Sequence, residues 1–272
     1  MKTLYLSDLD GTLLSGSQTV SDFTARTINE LVSRGMVFSY ATARGFGTAT
    51  KATSGITAKI PLIVYNGAFI MDNATGERLY GSFFGEDIDE VIISLIRGGV
   101  YPIVYSIQQN RERFSYVPKK CSRAAMEFIE TRRDSRNNPV ENECGLFAGQ
   151  RFYLSCIDDE EKLRPFWVQY KERYNCVYAR DIYSGEQWLE IMPKASSKAA
   201  AARRLMDMLS CERLVVFGDG LNDIDLFRMA DESYAVENAE TQLKSIATAI
   251  IGSNDSDSVA KKLLDIYTQK GE

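Results

Sequence analysis

The feature that most constrains the fold is an alternation, near both ends of the chain, of short β-type runs with helix-patterned segments. Residues 3–6 read as a strand, and Phe23, Ile28, Leu31 and Val32 then mark one face of a helix ending at Gly35. "MVFSYA" (36–41) and "LIVY" (62–65) are apolar, β-branched and aromatic runs of the kind a parallel sheet buries on both faces. The style returns in "RLVVFGD" (213–219), "SYAV" (233–236) and "TAII" (248–251), with helical patterns over 222–230, 239–247 and 256–268. Alternating β and α segments with short connections predict an α/β fold with a doubly wound parallel sheet.

The middle of the chain is patterned differently. "FIMDNATGERLYG" predicts a hairpin turning at residues 73–76, and 86–97 an amphipathic helix closed by Gly98 and Gly99. Strand patterns then cluster at 101–106, 113–117, 151–156 and 187–191, with helices near 121–133 and 159–173. The expected organisation is a core formed by residues 1–83 and 191–272, with an α+β cap inserted over 84–190. "DSRNNPVENEC" (134–144) is the most polar stretch and is expected to be the loosest. The aromatics Phe152, Tyr153, Trp167 and Tyr170 are expected in the core of the insert.

Composition excludes several chemistries. The 272 residues contain no histidine, which removes Ser-His-Asp, Cys-His and His-ligated zinc sites. Five cysteines, odd in number and without a C-x-x-C pair, suggest reduced thiols and a cytoplasmic protein. A net charge of −5 argues against nucleic acid or an anionic membrane as partner. No apolar run is long enough to span a bilayer, and the N-terminus lacks a signal-like region. A monomer or weak homodimer is expected.

In open α/β sheets, ligands bind beyond the carboxyl ends of the strands. Past the first strand stand Asp8 and Asp10, and past the second Thr42, Ala43 and Arg44. Past the third come Asn66 and Gly67, and past the fourth "GDGLND" (218–223). "MPKASSKAAAARRL" (192–205) opens a helix capped by Ser196 or Ser197, which puts Lys198 in its first turn. Asp8 and Asp10 pose a puzzle, because neighbouring carboxylates repel unless a cation lies between them. An Asp-Gly turn closing a hairpin is the ordinary alternative. "GDGLND" does not fit a calcium loop, since the Asp-x-Asp-x-Asp-Gly spacing and terminal Glu are missing. Asp8, Asp219 and Asp223 together form an oxygen site suited to Mg2+.

This set of motifs resembles the haloacid dehalogenase superfamily, specifically its Cof-type phosphatases with a large α/β cap. "DLDGTLL" (8–14), "ATAR" (41–44), "YNGA" (65–68), Lys198 and "GDGLND" carry the resemblance, in the family's order and spacing, and the tail from residue 235 extends it. The resemblance implies a Mg2+-dependent phosphatase in which Asp8 is the nucleophile, forming an aspartyl-phosphate, and Asp10 the general acid and base. It assigns the metal to the Asp8 carboxylate, the Asp10 carbonyl and Asp219, with Asp223 in support. It assigns the phosphate to Lys198, Asn222, the hydroxyl and N–H of Thr42, and backbone donors at Leu9 and Ala43. The family usually has glycine where Ala43 stands, and "DGVA" where this chain has "DSVA" (257–260).

The implied substrate is a small phosphorylated metabolite such as a sugar or polyol phosphate, over which a separate cap can close to exclude water. A sugar phosphomutase and a non-catalytic ligand-binding module are the alternatives. Asn66 and Gly67 are balanced between a simple turn and a substrate contact. Arg44 can reach substrate, although a surface charge is the stronger expectation. In the cap, Arg180, Tyr183 and Glu186 are candidates only because they precede the last cap strand.

Overall fold

The computed structural model describes residues 1–57, 59–132, 134–181 and 184–269. The opening run forms β1 (Thr3–Ser7), buried at every position, as a strand covered on both faces must be. Helix α1 (Asp22–Ser33) follows, its N-terminus capped by Ser21 Oγ, which accepts the Thr24 N–H. Its buried stripe is Thr24, Ala25, Thr27, Ile28 and Leu31. Phe23, expected on that stripe, is 38% exposed. Five residues before Ile28, it sits about 140° around the helix from it.

Strand β2 (Val37–Tyr40), α2 (Phe46–Ala52), β3 (Pro61–Val64), β4 (Phe69–Asp72) and β5 (Arg78–Gly81) complete the first segment. The predicted hairpin is present, its turn held by Asp72 Oδ1, which accepts the N–H groups of Ala74 (2.7 Å) and Thr75 (2.8 Å).

There follow α3 (Ile88–Arg97), β6 (Ile103–Gln108), β7 (Arg111–Tyr116), α4 (Arg123–Glu130), β8 (Asn137–Pro139), β9 (Gln150–Ile157), α5 (Glu160–Tyr170), β10 (Asn175–Arg180) and β11 (Gln187–Met192). The last segment contains α6 (Lys198–Leu209), β12 (Arg213–Gly218), α7 (Ile224–Met229), β13 (Glu232–Ala235), α8 (Thr241–Lys244), β14 (Ala249–Ile250) and α9 (Ser258–Gln269).

The chain divides into two compact units: Met1–Gly81 with the residues from Ser197 onward, and the intervening Ser82–Ser196. In the first unit, a sheet of order β14-β13-β12-β1-β2 is parallel throughout. Strand β3 meets its edge through a parallel bridge between Ala41 and Ile63 and through the Ser39 hydroxyl, which donates to the Pro61 carbonyl at 2.6 Å. It otherwise pairs with the antiparallel strand β4, which pairs in turn with β5. The carboxyl ends of β1, β2, β3 and β12 therefore open the same way, because every pairing that links them is parallel.

The inserted unit is a six-stranded sheet of order β10-β11-β9-β6-β7-β8, antiparallel except for the β7–β8 pair. Val104, Leu154, Cys156, Leu189 and Ile191 pack with Ile88, Val91 and Leu95 of α3 and Leu163 of α5. Phe152, Tyr153 and Tyr170 are buried as expected. Trp167 is partly buried and stacks on Tyr178 at 5.1 Å.

Two expectations for this unit need correction. The polar segment after residue 134 is not loose, since it contributes β8, and Arg136 there bridges Glu112 (2.9 Å) and Asp134 (2.6 Å). Strand pairing uses backbone groups, so an edge strand needs no apolar side chains. Strand β10 was not anticipated. Its residues are mostly half-buried, as an edge position allows, so alternation there is weak.

Candidate active site

Asp8 continues directly from β1, donating its N–H to the Phe217 carbonyl at 2.9 Å, and is 6% exposed. The chain then makes a wide turn closed by the Leu14 N–H on the Leu9 carbonyl at 2.9 Å. Gly11 sits in that turn at φ +73°, and a Cβ there would collide with the Asp219 carboxylate. The Asp-Gly pair is thus a close approach between two strand ends, which only glycine permits. One residue on, the Thr12 hydroxyl donates to Asp219 Oδ1 at 2.6 Å.

From β12 the chain passes through Asp219 into a tight turn that buries Asp223 completely. Asp223 Oδ2 accepts the N–H groups of Asp219 and Gly220, both at 3.2 Å. Helix α6 supplies the cation. Ser197, one of the two expected caps, accepts the Ala200 N–H on Oγ at 3.0 Å, making Lys198 the first helical residue. Lys198 Nζ donates to Asp8 Oδ1 and Asp223 Oδ1, each at 2.7 Å, and its side chain is 1% exposed.

Burial pushes the Asp8 carboxyl well above the ordinary carboxylate range; Lys198 opposes that, while Asp223 and Asp219 add to it. Burial and then Asp223 push Asp219 up to about 6, against Thr12 and Lys198. Burial works against the Lys198 charge, but Asp223 and Asp8 outweigh it and hold the ammonium protonated. One ammonium cannot neutralise three carboxylates. The ligand oxygens of Asp8, Asp219 and Asp223 lie within 4.8 Å of one another, so this donor set fits a hard divalent cation such as Mg2+. Asp223 gives one oxygen to Lys198 and the other to backbone N–H groups, which suits a supporting place rather than direct ligation.

The second and third strand ends close the site. Thr42 is fully buried, and its hydroxyl accepts the Arg44 N–H at 3.1 Å. Its own N–H, expected to face a phosphate, is taken by the Ile63 carbonyl at 3.0 Å. The parallel bridge from β2 to β3 uses that donor, leaving the hydroxyl proton as the Thr42 contribution. Ala43 is half-buried beside it, and Leu9 is fully buried.

Asn66 joins Asn222, whose Nδ2 donates to Asn66 Oδ1 at 3.1 Å. The Asn66 N–H is held by the Thr42 carbonyl at 2.9 Å, so these candidates form one cluster. Gly67, at φ +96°, packs so closely on Ser197 that a Cβ would strike the Ser197 carbonyl. Arg44 is not a surface charge: it forks onto Asp10, Nε to Oδ2 at 2.7 Å and Nη2 to Oδ1 at 2.5 Å.

Other residues in this cluster escaped the sequence reading. Asn238 Nδ2 donates to the Gly11 carbonyl at 2.7 Å, and its Oδ1 accepts the Asn254 N–H at 3.1 Å. Asn254 Nδ2 in turn donates to the Leu14 carbonyl at 2.9 Å. These links clasp the wide turn from the far end of the chain, so no local pattern announces them. In the inserted unit, Arg180 pairs with Glu160 at 2.8 Å and Glu186 is exposed, while Tyr183 lies outside the described residues.

A family model described as haloacid dehalogenase-like hydrolase matches residues 5–263. The chain belongs to that family. As a haloacid dehalogenase-like hydrolase it is an enzyme of phosphatase type. It is 26% identical, over 277 residues covering 93% of this chain and 94% of the relative, to the 5-amino-6-(5-phospho-D-ribitylamino)uracil phosphatase of Bacillus subtilis. Among solved structures, a haloacid dehalogenase-like hydrolase from Bacteroides thetaiotaomicron superposes with a TM-score of 0.80, at 19% identity, covering 98% of this chain and 100% of that one. One from B. subtilis superposes with a TM-score of 0.78, at 22% identity, covering 96% and 98%. These likenesses establish the fold: a parallel-sheet α/β unit interrupted by a second unit with its own sheet. Among the described residues, no helix is long and apolar enough to cross a membrane.

Proposed function

We propose that this hydrolase is a Mg2+-dependent phosphatase acting on a small phosphorylated metabolite, a sugar or polyol phosphate, through an aspartyl-phosphate on Asp8. The observation that carries this reading is the buried Asp8 carboxylate, with Lys198 2.7 Å away and Asp219 and Asp223 beside it. A phosphate monoester is already anionic, so a carboxylate nucleophile needs positive charge at the point of attack. Bound Mg2+ supplies part of that charge and polarises the phosphoryl oxygens. Asp8 and Asp219 would hold it with their carboxylates and Asp10 with its backbone carbonyl, supported by Asp223.

In the first step an Asp8 oxygen bonds to phosphorus while the ester P–O bond breaks, and its electron pair leaves with the departing oxygen. The Asp10 carboxyl gives that oxygen its proton, releasing an alcohol. In the second step Asp10, now a carboxylate, takes a proton from water as the water oxygen bonds to phosphorus. The acyl-phosphate P–O bond breaks, returning the Asp8 carboxylate and releasing inorganic phosphate. Lys198 and the Thr42 hydroxyl contact the phosphoryl oxygens, and the Asn222–Asn66 pair borders the same pocket. The name of the B. subtilis relative supports the substrate class, since its substrate carries phosphate on a ribityl chain.

The test is inorganic phosphate release from a panel of phosphorylated sugars, polyols, nucleotides and cofactors, with Mg2+, with EDTA, and with Asp8→Asn. Mg2+-dependent release concentrated on a few small esters and lost in Asp8→Asn is the expected result. Silence across the panel from folded, Mg2+-supplied protein would sink this reading.

A further inference from the structure

We propose that Arg44 is a positioning residue for the acid–base step: its guanidinium grips the Asp10 carboxyl group and sets the direction in which that group meets the departing ester oxygen. This rests on the phosphatase reading above. The Arg44 Nε and Nη2 contacts, at 2.7 and 2.5 Å, take one lone pair on each Asp10 oxygen, which leaves a second for the transferred proton and defines the plane of the carboxyl group as well as its place. Asp10 lies in the wide turn, with non-helical backbone angles (φ −69°, ψ 126°). A short side chain there can swing about two torsions, and a fork is what removes that freedom.

Arg44 is itself anchored. Its N–H donates to Thr42 Oγ1 at 3.1 Å, its carbonyl accepts the Tyr65 N–H at 3.0 Å, and Nη2 also reaches Gln18 Oε1 at 3.1 Å. The loop that brings the Thr42 hydroxyl to the phosphate therefore carries the group that aims Asp10. Phosphate binding and proton delivery share one support, partly shielded from solvent, with side-chain exposures of 18% for Arg44 and 25% for Asp10. A misplacement of the order of 1 Å at a reacting group can cost about a hundredfold in rate. Lysine cannot substitute, because an ammonium offers a point charge and no fork.

The experiment is single-turnover release of the leaving group from two esters by wild type, Arg44→Lys, Arg44→Met and Asp10→Asn. One ester is p-nitrophenyl phosphate, whose phenolate departs without help from an acid. The other is the alkyl phosphate that wild type hydrolyses fastest in the panel above. Both Arg44 variants are expected to slow alkyl-ester release by about 10²-fold or more, and aryl-ester release by no more than about fivefold, following Asp10→Asn in this asymmetry.

Equal losses on both esters, or near-wild-type release of both, would overturn the assignment while leaving the phosphatase reading intact, provided Asp10→Asn retains its asymmetry. An Asp10→Asn variant without asymmetry, or a wild type that cleaves neither ester, would remove the parent reading and this inference with it. A merely structural role for Arg44 changes stability and both esters alike, so the ratio between the esters is the decisive quantity.

Discussion

Lys198 Nζ stands 2.7 Å from Asp8 Oδ1, joining residues 190 positions apart in a pocket almost closed to solvent. Removing the ammonium leaves buried carboxylates facing one another. Lys198→Met is expected to lower kcat by about 10²-fold or more. It should also cost about 3–5 kcal/mol of stability in EDTA, with part of the loss restored by Mg2+. Thermal melts with and without Mg2+, beside kcat, check this; an equal loss of stability in both conditions would argue that Lys198 and the metal do not share the carboxylates.

The metal site makes its own prediction. Adding Mg2+ to EDTA-stripped protein should raise its stability by roughly 2.7 kcal/mol at a hundredfold excess over Kd. Asp219→Asn should abolish most of that increment, because the Asp219 carboxylate is a proposed direct ligand. Calorimetric titration of both proteins reads the difference. An unaltered Mg2+ response in Asp219→Asn would contradict the ligand set.

Gly67 tests how Lys198 is placed. At φ +96°, with its Cα against the Ser197 carbonyl, it allows α6 to start where it does. Gly67→Ala should introduce about 1–3 kcal/mol of backbone strain and push the helix start away. The expected outcome is a fall in kcat larger than the fall in Tm alone explains, measured well below the melting temperature.

Asn238 tests the clasp on the wide turn. Asn238→Ala leaves the Gly11 carbonyl without that donor, at a cost of about 1–3 kcal/mol. Because the turn also carries Thr12 onto Asp219, Mg2+ affinity should weaken together with stability. Asn254→Ala, which removes the side-chain contact to Leu14, should have the smaller effect on Mg2+ affinity. Parallel melts and Mg2+ titrations of the two variants would show the order.

In the inserted unit, the Tyr174 hydroxyl donates to Asp87 Oδ2 at 2.6 Å and holds the Asp87 carboxyl below its ordinary value of 3.8; burial opposes this and Arg173 assists. A depressed folded-state pKa means that the unfolded chain binds more protons near that pH. The stabilisation is therefore present above about pH 4 and lost as pH falls through the folded value. Asp87 is 39% exposed, so the contribution should stay below about 1 kcal/mol. Tyr174→Phe should flatten the acid limb of stability below about pH 4 and, at neutral pH, lower stability by that amount. An unchanged acid limb would contradict it.

The α/β alternation and the strand-end positions of Asp8, Thr42, Asn66 and Asp219 were readable because parallel strands must be apolar and must end in polar, turn-forming residues. Periodicity misled where a side chain sat just off the buried stripe, as with Phe23. Polarity misled where pairing ran through backbone groups, as in β8. Local pattern was silent on partners. Nothing around residue 44 says that Arg44 faces Asp10 rather than water, and nothing around residue 238 says that Asn238 holds Gly11.

The sequence by itself determined which residues could do chemistry: an acid-rich, histidine-free set placed at strand ends, with a lysine at a helix start. Only the tertiary structure decided how they are used. It assigned the Thr42 N–H to Ile63, both oxygens of Asp223 to protein donors, and the Arg44 fork to Asp10. The reason is physical. Residue type and spacing limit what each group can donate or accept, but its partner is settled by distance, and the fold brings together groups that lie as many as 240 residues apart.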